Sequence, residues 1–91
     1  MRAPLNDYVS QIEEACGEEG DYVIILRYIK RREAMDKILS RCKVERTVSG
    51  VMVKASYKGR ELSLFTTGKI LLKGIEEREE VERLLEELLS N

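Results

Sequence analysis

The chain has no histidine, only two cysteines, one proline and one phenylalanine in its 91 residues. Without histidine, and with Cys16 and Cys42 too far apart in sequence for a CxxC pair, no ligand set for a transition metal is present. The same lack removes the usual base for nucleophilic catalysis, and Ser10, Ser40, Ser49, Ser56, Ser63 and Ser90 stand in no GxSxG context. No run reaches the length of about 18 apolar residues that a membrane span needs. MRAPLNDY at the start carries no apolar stretch of the secretory kind. Internal repeats and low-complexity linkers are absent too. The expectation is a cytoplasmic binding protein rather than an enzyme, with no cofactor, no metal and no membrane association. A chain of this size fits the range of about 50–250 residues for one domain, so 1–91 is read as a single unit.

Charge is plentiful but divided. The net charge of −1 conceals acidic ends, 1–20 and 74–91, around a basic middle. Residues 27–73 hold thirteen Lys/Arg against Glu33, Asp36, Glu45 and Glu61, a net +9. Such a split speaks to partners rather than to fold.

Periodicity gives an α+β order. Asn6 can cap a helix in which Tyr8, Val9, Ile12, Ala15 and Cys16 recur at helical spacing up to Gly17. YVIILRYI (22–29) reads as a buried strand, and Ala34, Met35, Ile38, Leu39 and Cys42 mark a one-sided helix over 31–42. Cys16 and Cys42 thus read as small core residues of the two helices. Strands follow at 43–48, 49–57, 61–66 and 69–74. A last helix, 76–89, sets Val81, Leu84, Leu85, Leu88 and Leu89 on one side. The carboxylates of EEREEVERLLEE (76–87) lie opposite, partly in an i,i+4 lattice with Arg78 and Arg83.

Two turns decide which side chains share a face. Lys58-Gly59 suits a two-residue primed turn, which pairs Tyr57 with Arg60 and places Met52, Lys54, Ser63 and Phe65 on one side. At Thr66-Thr67-Gly68 a three-residue loop would add Lys69, Leu71 and Lys73 to that side and send Leu64, Ile70 and Leu72 to the core. A two-residue loop would flip the last strand. Composition leaves both open.

LSLFTTGKILLKGIEEREEVERLLEELL (62–89) resembles the end of one repeat of the TATA-box-binding protein, with its Phe-Ser-Ser-Gly-Lys turn, apolar strand, Gly and acidic helix. It is also similar to the N-terminal substrate-binding domain of ribonuclease HIII, which has a Ser-Gly-Lys turn. The resemblance covers 21–91 and leaves 1–20 as an additional helix and turn. It implies a twisted antiparallel sheet with helices on one face and an open face resting on nucleic acid. It also favours the three-residue loop. By the same likeness Phe65 matches a minor-groove wedge, Lys54 a phosphate-contacting arginine, Lys69 the turn lysine and Leu71 a groove-lining valine. Val48 and Lys73 depart from the family's phenylalanine and threonine.

The expected interface is therefore Lys54, Lys69, Lys73 and Arg27 for phosphates, with Phe65, Met52 and Leu71 for apolar contact with DNA or RNA, at low sequence specificity. Val23 and Ile25 join them if the strand alternates with Arg27 outward, and Glu61 is the one acid of that parity. An apolar sheet face rimmed by lysine also fits a protein partner, and Tyr8, Tyr22, Tyr28 and Tyr57 read most simply as core or rim. A homodimer is expected, with strand 21–29 pairing with its own copy as an exposed edge.

Overall fold

The computed structural model describes residues 5–14, 21–48, 50–75 and 77–89. Its strands are β1 (Val9–Glu14), β2 (Tyr22–Leu26), β3 (Lys43–Val48), β4 (Met52–Tyr57), β5 (Arg60–Phe65) and β6 (Lys69–Lys73). The helices are a short α1 (Leu5–Tyr8), α2 (Arg31–Arg41) and α3 (Arg78–Leu89), and a 3-10 turn at Tyr28–Lys30 precedes α2. All strand pairs are antiparallel, in the order β1-β2-β6-β5-β4-β3. This is an α+β fold.

Turn chemistry sets the register as expected. Lys58 and Gly59 both take positive φ, 51° and 79°, the requirement of a primed two-residue turn, and Tyr57 pairs with Arg60. Between β5 and β6 the Gly68 N–H donates to the Phe65 carbonyl at 2.9 Å, Gly68 has φ 101°, and Leu64 pairs with Ile70. That is the three-residue loop, so Leu62, Leu64, Ile70 and Leu72 share a side with Ile24 and all are fully buried. Both long helices pack on that side. Val81, Leu84, Leu85, Leu88 and Leu89 form the i, i+3, i+4 stripe of α3, and Ala34 and Ile38 complete the same core from α2. The last turn of α3 has no basic residue, and Arg41 of α2 supplies one by donating to the Leu88 carbonyl at 2.6 Å.

Three expectations are corrected. The helix expected from Asn6 to Gly17 lasts only to Tyr8: after that one turn the chain becomes β1, pairing Ile12 with Ile24 and Glu14 with Tyr22. A bulge between Val9 and Gln11 adds a residue, so the buried pair Val9 and Ile12 is three apart and imitates helical spacing. Ala15 and Cys16 lie outside the described residues. The strand expected over 22–29 ends at Leu26, so Ile29 is not part of a buried strand, and Tyr28, expected at core or rim, is 70% exposed. Finally, β2 is hydrogen-bonded on both sides, by β1 and β6, so it is no free edge and cannot pair with its own copy. The margins of the sheet are β1 and β3. Cys42 sits just past α2, half-buried against the core, and burial raises its thiol pKa.

Candidate nucleic-acid interface

Directly paired residues point to the same side, so the registers define the face opposite the helices. One row across it runs Arg46, Lys54, Ser63, Leu71, Val23, Glu13. A second runs Lys43, Ser56, Glu61, Lys73, and at the other flank Val48, Met52 and Phe65 are followed on β6 and β2 by Lys69 and Ile25. Lys54, Lys69, Lys73, Phe65, Met52, Leu71, Val23 and Ile25 are thus brought together as the sequence suggested. Arg27 is not. It lies past the end of β2, where its Nε donates to the Asn6 carbonyl at 2.5 Å.

Sequence reasoning missed Lys43 and Arg46. They are three residues apart, so plain alternation puts them on opposite sides. A bulge between Val44 and Arg46 restores them to one side, and no residue type at Glu45 announces it. Glu13 was missed because its segment read as helix.

Five cations, Lys43, Arg46, Lys54, Lys69 and Lys73, therefore share this face with two acids, Glu13 and Glu61. The cations occupy β3 to β6, Glu13 lies on the β1 margin, and Glu61 on β5 stands directly opposite Lys73. Among the described residues none of the five is held in an ion pair. Arg46 stands directly opposite Lys54, a like-charge cross-strand pair that costs stability.

On the helix side some charges are paired with one another. Lys58 pairs with Glu87, Arg60 with Glu80, and Arg78 with Glu82. A groove of about 230 Å³ beside the Lys58-Gly59 turn is lined by Lys58, Arg60, Glu80, Arg83, Leu84 and Glu87, and two of its three cations are paired with its two acids. The Glu87 carboxyl is held below its ordinary 4.5 by hydrogen bonds from Lys58 and Tyr57, and that of Glu33 by the Tyr8 hydroxyl. A carboxyl depressed in the folded state contributes stability above its unfolded value that is lost as pH falls through the folded one. Thermal midpoints should therefore drop below pH 4.5, and less steeply in Glu87→Gln. An unchanged pH profile in that variant would show the Glu87 pairing to be without consequence.

Among the described residues no group of three or more Cys, Asp or Glu side chains could hold a metal ion. None of their helices is long and apolar enough to cross a membrane. Compared with protein families, with characterised proteins and with solved structures, the chain has no match.

Proposed function

We propose that the open sheet face binds nucleic acid with little sequence preference. The observation that carries this is a cation set with no ion pair among the described residues, above all Arg46 facing Lys54. A fold gains nothing by placing two like charges directly opposite one another, whereas a phosphate backbone neutralises both. Phe65, Met52, Leu71 and Val23 lie between the cations and offer apolar contact to sugars and base faces. Low specificity follows from composition: four of the five cations are lysines, point charges that position a backbone without reading base edges. The element order from β2 to α3, with helices on one side only, supports the likeness to a TATA-box-binding-protein repeat. Val48 in place of a second wedge phenylalanine argues against TATA-type recognition.

Backbone amide shifts in a titration with short DNA and RNA oligonucleotides test the site. Changes should concentrate on Lys43–Val48, Met52–Tyr57 and Lys69–Lys73. Changes confined to the outer surfaces of α2 and α3 would refute the assignment.

A second reading, a protein partner or a second copy, is favoured by one observation. The marginal strand β3 is exposed along its whole length, with Val44 48% and Val48 37% accessible. A homodimer would then form through β3 rather than β2. Sedimentation equilibrium of the free chain, with Val44→Lys as the disrupting variant, distinguishes this from a monomer that binds nucleic acid.

A further inference from the structure

The largest exposed apolar side chains are adjacent, Tyr28 at 70% and Ile29 at 89% accessibility. They occupy the 3-10 turn in the segment RYIKRR (27–32), which surrounds them with Arg27, Lys30, Arg31 and Arg32. Isolated surface hydrophobics need no explanation. An aromatic and an aliphatic side chain presented together among four cations are a different case.

The turn is held in place. The Arg27 N–H donates to the Tyr8 carbonyl at 2.8 Å, and the Lys30 N–H to the Arg27 carbonyl at 3.0 Å. Arg31 donates to the Tyr28 carbonyl at 2.7 Å, and its guanidinium lies 3.6 Å from the centre of the Tyr28 ring. One face of the ring is therefore backed by a cation, and the ring's high exposure leaves the other for a ligand. The nearest acid in sequence, Glu33, is occupied by the Tyr8 hydroxyl.

Position links this turn to the sheet face. The Leu26 N–H donates to the Gly68 carbonyl at 2.8 Å, and the Arg31 side chain lies against Gly68, 3.5 Å from where a Cβ would stand. Gly68 belongs to the loop that carries Phe65 and Lys69. Tyr28 and Phe65 thus sit at the same end of the sheet, on or just beyond strands two spacings apart, roughly 10 Å. Paired bases in a duplex offer their edges in the grooves, whereas a ring face such as that of Tyr28 needs an unstacked base.

We infer that the Tyr28–Lys30 turn is a second contact for the bound nucleic acid, at which an unpaired base stacks on Tyr28, so that the ligand is single-stranded. This rests on the reading of the sheet face given above. Tyr and Ile among basic residues would also suit an anionic bilayer, but the shared contact with the Phe65–Lys69 loop favours a ligand already lying on the sheet.

The test uses the full chain and fluorescence anisotropy. The probes are labelled oligo(dT) and oligo(U) of about 15 nucleotides, the matching dT·dA duplex, and phosphatidylserine vesicles as a separate arm. The wild type should bind the single strands more tightly than the duplex. Tyr28→Ala should weaken single-strand binding roughly 5- to 150-fold, the span of one stacking contact, while leaving the salt slope unchanged. Tyr28→Phe should bind like the wild type. Tighter duplex binding, unchanged affinity in Tyr28→Ala, or a Tyr28→Ala/Ile29→Ala variant that loses only vesicle binding would overturn the inference and leave the sheet-face reading intact. A wild type that binds no nucleic acid would overturn both.

Discussion

Leu64→Ala should cost the fold about 2–5 kcal/mol, and Phe65→Ala, one residue further along β5, well under the ~3–5 kcal/mol of a buried phenylalanine. The two side chains point to opposite sides of the sheet. Leu64 is fully buried between the sheet and the helices, so its truncation leaves a cavity. Phe65 is half-buried on the open face beside Met52, with no helix over it among the described residues. Urea midpoints of the two variants measure the difference. Binding should respond in the opposite sense. Phe65→Ala should lose about 1–3 kcal/mol of nucleic-acid affinity, while Leu64→Ala, studied where it is still folded, should keep it. A larger stability loss for Phe65→Ala than for Leu64→Ala would mean that the face is inverted.

Arg46→Glu/Lys69→Glu should abolish detectable binding at about 200 mM salt and make the salt slope shallower by about two, one for each phosphate contact removed. Its effect on stability is the more telling readout. Arg46→Glu alone converts the like-charge pair with Lys54 into an opposite-charge pair, worth a few tenths to about 1 kcal/mol in the folded state. The single variant should therefore unfold at higher urea than the wild type while binding more weakly. A stability cost maintained for binding is what a functional cation shows. Should Arg46→Glu instead be destabilised with binding intact, Arg46 would be a structural residue.

How much of this was legible in the sequence depended on where the strand rhythm is regular. From Met52 to Lys73 the alternation is unbroken and the turns carry their own chemistry: Lys58-Gly59 requires positive φ, and Thr66-Thr67-Gly68 ends on a glycine that takes it. Met52, Lys54 and Phe65 could therefore be placed together from the sequence, whereas Lys69, Leu71 and Lys73 joined them only through the resemblance that favoured the three-residue loop. Each failure falls where that rhythm stops. In β1 and β3 a bulge adds one residue, which disguised a strand as a helix at Val9 and Ile12 and hid Lys43 and Arg46 from the interface. Bulges have no residue signature here; they follow from pairing with β2 and β4, which is tertiary information. The end of β2 was misjudged differently. RYI continues the β-prone composition of YVIIL, but the chain turns at Arg27, where the backbone N–H meets the Tyr8 carbonyl of the segment misread as a helix.

The most direct test of the sheet face as a nucleic-acid interface is the affinity for one labelled oligonucleotide, measured at several salt concentrations between about 50 and 200 mM. With four or five of Lys43, Arg46, Lys54, Lys69 and Lys73 each displacing a counterion, the log–log slope should be about −3 to −4. A slope near zero, or no binding by micromolar protein at the low-salt end, would contradict the account.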